Sequence, residues 1–133
     1  MKDSEMAETE REKGRRIAGE ILGARRSLVP NSFNDDFMEM ADKFCYAGVW
    51  DRPGLERKSR SILTMGMLIA QGRGALLRLH ITGALNNGCT VREIKEVILH
   101  ASAYCGFPAA SDAMRVAEEV LREKGLIAET NQL

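Results

Sequence analysis

Between Phe33 and Leu121 the apolar residues recur at intervals of three and four and nowhere alternate convincingly, a rhythm that admits helices and leaves no place for a sheet. Phe33, Phe37, Met40, Ala41 and Phe44 form one such stripe, which ends near Gly48. Ser32 or Asn34 can cap its helix, and Asp35 and Asp36 fall in the first turn, where the dipole favours negative charge. After the loop VWDRPGL, a helix over Leu55 to Gln71 starts polar and then turns apolar almost all round through ILTMGMLIA, which predicts a central place in an assembly. Gly72 and Gly74 interrupt, and a helix over Ala75 to Asn87 follows, with Gly88 placed to take the left-handed conformation beyond its end. Thr90-Val-Arg-Glu93 has the pattern of a capping box for a helix carrying Ile94, Val97, Ile98 and Ala101. Gly106-Phe-Pro108 ends that helix and opens a last one over Ala109 to Lys124, closed by Gly125, with a polar ETNQL tail expected to fray. Upstream, a charged helix over Glu5 to Gly23 has only Ile17, Ile21 and Leu22 as an apolar edge, which predicts a helix lying on a surface or on a neighbouring subunit. The expectation is an all-α, compact bundle of about six helices in a single domain spanning residues 1–133.

Charge and cysteine content remove several classes of function. Lys plus Arg equals Asp plus Glu at 19 each, so no excess positive charge drives binding to nucleic acid or to an anionic membrane. The charged N-terminus lacks the apolar core of a signal peptide, and the apolar run Ile62 to Ala70 is too short to span a bilayer, which gives a cytoplasmic protein as the expectation. Cys45, Cys89 and Cys105 are odd in number and form no Cys-x-x-Cys, so they read as reduced thiols filling a core. No phosphate-binding glycine loop, no Gly-x-Ser-x-Gly turn and no closely spaced metal ligands occur.

Three blocks in order, WDRPGLERKSRSILTMGMLIAQGR, LRLHITGALNNGCT and VREIKEVILHASAYCGFPAA, together with the helix that follows, resemble the carboxymuconolactone decarboxylase family, which also contains the alkylhydroperoxidase D-like proteins. The similarity runs from about Trp50 to Leu121, with a weaker match from Phe37. It implies a compact helical fold that assembles into homo-trimers or homo-hexamers with active sites near subunit contacts. The alkylhydroperoxidase type of the family uses a Cys-x-x-Cys-x-x-x-His arrangement; here those cysteine positions fall on Arg73 and Leu76, and the acidic position one helix earlier falls on Ser61. Neither Arg73 nor Leu76 can supply a thiolate, so that chemistry has lost its nucleophile and its resolving group.

The decarboxylase type implies a cofactor-independent lyase acting on 4-carboxymuconolactone, or a related small carboxylated lactone, in the breakdown of aromatic compounds. His80 is the candidate acid-base group, since a ring titrating near neutrality suits delivery of a proton to carbon. Arg52 and Arg60 are candidates to grip substrate carboxylates through forked hydrogen bonds. Trp50 and Tyr104 are candidates to line the pocket. Relatives commonly place an acidic residue four positions before the histidine, where this chain has Leu76, so a partner for the ring is expected from Glu93, Glu96 or a neighbouring subunit. Against these stand plainer readings: His80 as a core histidine bonded to a backbone carbonyl, Arg57, Lys58 and Arg60 as a solvated face, Trp50 and Tyr104 as packing anchors, and Asn86 and Asn87 as a helix terminator only. The alternatives at the level of function are an antioxidant protein using a stray cysteine and a helical family member without catalysis.

Overall fold

A computed structural model describes residues 6–128, which form six α-helices and one π-helix and, among the described residues, no strand. The elements are α1 (Glu10–Leu22), α2 (Asp35–Met40), running directly into the π-helix (Ala41–Trp50), then α3 (Arg57–Gln71), α4 (Gly74–Asn86), α5 (Val91–Cys105) and α6 (Phe107–Glu123). None of these helices is long and apolar enough to cross a membrane. Glu5 and the ETNQL tail lie outside the described residues.

The ends of the helices follow from local chemistry. Thr90 and Glu93 form the expected capping box, and Gly88 takes a φ of 94° beyond α4. A second box, Thr9 with Glu12, starts α1 at Glu10, later than the charge pattern predicted, because the Thr9 hydroxyl accepts the N–H of Glu12 at 3.1 Å. The last helix starts two residues earlier than expected, with Pro108 in the first turn, where its missing N–H costs no hydrogen bond. Asn34 occupies the N-cap of α2 but makes no capping bond; its amide instead ties up the preceding loop, donating to the Val29 carbonyl at 2.8 Å and accepting from the Asn31 N–H at 2.9 Å.

Helices α3 to α6 enclose one core, with Met65, Ile69, Leu77, Ile81, Ile94, Ile98, Val120 and Leu121 buried. A second, smaller core joins α1 and the π-helix to α4. Here Ile17 and Ile21 are fully buried among Tyr46, Trp50 and Leu79. Each contributes about 1.5–3 kcal/mol. The edge of α1 is therefore spent inside its own chain rather than on a neighbour. The asparagines after α4 do more than end it: Asn86 donates to the Ile21 carbonyl at 2.7 Å and Asn87 to the Ser61 hydroxyl at 2.9 Å, fastening α4 to α1 and to α3.

The predicted stripe on the second helix is reversed. Phe33, Phe37, Met40 and Phe44 are 63–97% exposed, and the face turned inward is Met38, Asp42, Tyr46, Ala47 and Trp50. Two causes act together. The inward residues recur about every four positions, which suits the wider turn of a π-helix. Helix α1 also approaches so closely that a Cβ at Gly14 would overlap the Asp42 backbone. The carboxylate of Asp42, 1% exposed, then sits among Arg26 at 3.0 Å, Arg15 at 3.6 Å and Arg11 at 3.9 Å. In α3 only Ser61, Met65 and Ile69 are buried, while Leu63 and Met67 stay exposed, so this helix is not central within one chain.

Candidate active site

His80 lies in α4, and its ring meets the second core rather than the first. The Trp50 indole, at the last position of the π-helix, lies nearly parallel to the imidazole, with ring centroids 6.2 Å apart and planes tilted by 13°. This is an offset stack. Because the loop Asp51 to Glu56 leaves from Trp50, the stack also fixes where that loop begins relative to α4.

The two ring nitrogens differ. Nδ1 is sealed from solvent and has no hydrogen-bond partner among the described residues, whereas Nε2 is not among the sealed, unpartnered atoms. Among the described residues Nδ1 shares that state with both carboxylate oxygens of Asp42 and with Nε of Arg11 and Arg122. The carbonyl-bonded core histidine expected on the plainer reading is thus absent at Nδ1. Glu93, one of the candidate partners, is engaged elsewhere: its carboxylate meets Lys58 at 2.9 Å and accepts the Thr90 N–H at 3.0 Å. Burial holds the His80 pKa below the ordinary 6.5, so the ring is neutral at pH 7.

That displacement fixes a pH dependence of stability. Above about 6.5 the ring is neutral in folded and unfolded chains alike, and its full contribution is present. As pH falls from there through the lower folded value, the unfolded chain binds the proton first and stability is lost. Urea midpoints measured from pH 7.5 to 5 should fall more steeply in the parent than in His80→Gln. Parallel curves would show that the ring is not desolvated in the folded chain.

The remaining predicted site residues divide into two groups. Arg52 is exposed in the loop after Trp50, and its carbonyl accepts from Arg60 Nη2 at 3.1 Å. Arg60 Nε donates to the Leu55 carbonyl at 3.0 Å, so Arg60 clasps the Arg52 loop with two of its donors. Arg57 and Lys58 are paired with Glu20 and Glu93 at 2.7 and 2.9 Å. Tyr104 is elsewhere: it is 81% exposed on α5, with its ring against His100 at 5.0 Å. Both line an apolar groove of about 920 Å³ between α3 and α5, together with Ile62, Gly66, Glu96 and Val97. His80 and Trp50 do not line it, nor do they line the smaller cavities beside Arg78 and beside Arg115. The half-buried imidazole lies outside these three hollows.

Sequence reasoning missed Asp42, whose signal was an aspartate inside an otherwise apolar segment, and missed that Ser61 is fully buried. Two of the three thiols are held away from reactivity by burial. Burial pushes both the Cys45 and the Cys89 thiol up, away from the thiolate, and all three cysteines are free. No group of three or more His, Cys, Asp or Glu side chains gathers to hold a metal among the described residues.

A fold helical throughout its described residues, with one half-buried histidine on α4 stacked against a tryptophan that ends the π-helix, defines a class that the sequence comparisons then specify. Residues 35–119 match the model of the carboxymuconolactone decarboxylase family. The chain is 44% identical over 120 residues to the 4-carboxymuconolactone decarboxylase of Acinetobacter baylyi, an alignment covering 87% of this chain and 90% of that protein. It is 38% identical over 118 residues to a nitrosuccinic acid decarboxylase of Metarhizium robertsii, covering 84% and 81%. This chain belongs to the carboxymuconolactone decarboxylase family.

Proposed function

We propose that the protein is a decarboxylase and that its substrate is 4-carboxymuconolactone or a closely related carboxylated lactone. The observation that carries the chemistry is His80, a neutral, half-buried imidazole with its Nδ1 unbonded and with Nε2 not sealed away. The substrate class is supported by the relative of that name, which is similar over nine-tenths of its own length. The second relative adds a constraint of principle. In nitrosuccinic acid, as in the lactone, the electron pair left by carbon dioxide can move onto an oxygen, of the nitro group in one case and of the lactone carbonyl in the other. A site serving such reactions needs a hydrogen-bond donor at that oxygen and a route for one proton.

In the lactone, the bond between the ring carbon and its carboxylate breaks, carbon dioxide leaves, and the electron pair spreads through the double bond to the carbonyl oxygen. His80 donates from Nε2 to that oxygen, whose growing charge is stabilised while the ring stays neutral. As the electron pair returns from that oxygen, a proton from solvent closes the ring carbon. Arg52, unpaired among the described residues and set in a loop that Arg60 clasps, is the group to hold the second carboxylate. Purified protein should consume 4-carboxymuconolactone, read by its ultraviolet absorbance, with one carbon dioxide released per molecule. Turnover of nitrosuccinate but not of the lactone would move the substrate, and turnover of neither would leave a family member that keeps the fold without the activity.

The protein acts as an assembly of identical chains. Phe37, Met40 and Phe44 make an exposed apolar ridge, and the α3/α5 groove, with Leu63 and Met67 exposed on the same helix as Ile62 and Gly66, supplies an apolar trough in the same chain. Asp36 on the ridge helix and Arg92 at the groove are both without an ion pair among the described residues, and their charges are complementary. Gly66, inside α3, has nothing within 4 Å of where its Cβ would stand. A glycine there costs about 1 kcal/mol of helix stability with no return inside the chain. Ridge into trough is a heterologous contact, the kind that builds a ring such as a trimer when its rotation closes. Light scattering should give a multi-subunit mass for the parent and smaller masses for Phe44→Glu and Gly66→Leu, with helical circular dichroism intact. A monomeric parent at micromolar concentration, or variants that assemble like the parent, would sink this contact.

A further inference from the structure

Trp50 is 6% exposed, which leaves little of the indole for a substrate to touch. Its surroundings describe a different task. Ile17 and Ile21 of α1, Tyr46 of the π-helix and Leu79 of α4 belong to the same core, and the Cys45 thiol lies beside the indole. Among the described residues the indole's one aromatic partner is the His80 ring, in an offset parallel stack at 6.2 Å. We propose that Trp50 is the positioning residue of the site: its indole fixes the orientation of the His80 ring and keeps water from Nδ1, so that Nε2 alone meets the substrate.

The geometry of the chain supports this assignment independently of any substrate. A tryptophan at the end of a helix is held only as well as that helix is held, and the π-helix is fixed at its other end by Asp42 among three arginines and by the close approach of Gly14. Local π-helical turns are a common means of placing one side chain where a regular α-helix would not. Charged groups on the surrounding elements are engaged with one another: Lys13 of α1 with Asp51, Glu20 of α1 with Arg57 of α3, and Arg78 of α4 with Glu119 and Glu123 of α6. Burial holds the His80 ring below its ordinary value, and the indole is the aromatic group stacked against it.

The role presupposes His80 as the reacting group, and the test separates the two. The chain has only two histidines, so the His80 ring signals in an NMR titration are assigned by comparison with His100→Gln. In the parent the His80 midpoint lies below 6.5, and Trp50→Phe, which keeps a stacked ring, should leave it low and hold turnover within about threefold. Trp50→Ala should move the midpoint up toward 6.5 and lower kcat by about tenfold or more, with KM nearly unchanged. Where circular dichroism shows Trp50→Ala unfolded, Trp50→Leu takes its place in the same measurements. A midpoint that does not move, or a loss confined to KM, overturns the positioning role and makes Trp50 a packing residue or a substrate contact. The titration needs no substrate, so it decides the role of Trp50 even if turnover assays overturn the lactone.

Discussion

His80→Ala is expected to lower turnover of 4-carboxymuconolactone by about 100- to 10,000-fold, the range that one positioned acid-base group supplies. The loss should fall on kcat, since the imidazole is proposed to bond most strongly to an oxygen that gains charge only as carbon dioxide leaves. His80→Gln should recover part of it, because an amide can still donate to that oxygen, though as a weaker acid. Stability in neutral buffer should change little in the Gln variant, which keeps a polar group at the half-buried position and makes no new buried charge. Steady-state kinetics of the three proteins suffice. A His80→Ala protein that still turns over at a tenth or more of the parent rate would remove the imidazole from the mechanism, and another group would have to stabilise the oxyanion.

Asp42→Ala should cost about 3 kcal/mol of folding stability, the low end of the range for breaking a buried ion pair. The low end applies because Arg11 and Arg26 keep 20% of their side-chain surface exposed and Arg15 keeps 55%, so the cations left behind regain some hydration. Arg11 in addition retains Asp35 at 2.6 Å. For a chain of this size the loss corresponds to a melting temperature lower by about 10 °C. The effect reaches further than α1, since the π-helix that Asp42 anchors is the one ending in Trp50. Partial loss of activity at temperatures where the variant is still folded would accompany the lower melting point. A change below about 1 kcal/mol would mean that the arginines pair with solvent or with Asp35 and Glu39 and that the buried carboxylate is not the anchor.

Much of the molecule can be read along the chain because helices are local. The Thr90–Glu93 box and the glycine after α4 each depend on residues within one turn, and each appears where expected. The family was equally legible, since its blocks lie in order around one histidine. The site was legible only in part. His80 and Trp50 meet, and Arg60 clasps the loop of Arg52, but Tyr104 stands with His100 in the α3/α5 groove. Periodicity places a residue on a face of its own helix; it carries no information about which neighbour that face meets.

The second helix shows where that boundary falls. Its sequence determines two faces, one rich in phenylalanine and one holding Asp42, Tyr46 and Trp50, and by composition alone the first is the better core. The tertiary structure turns the second inward. Gly14 lets α1 come close enough to bury an aspartate among arginines, and the wider π turn then delivers Trp50 to the imidazole. Hydrophobic burial has no direction of its own, so the choice between two apolar faces is made by the close approach of distant backbones and by charges that meet only once the chain has folded.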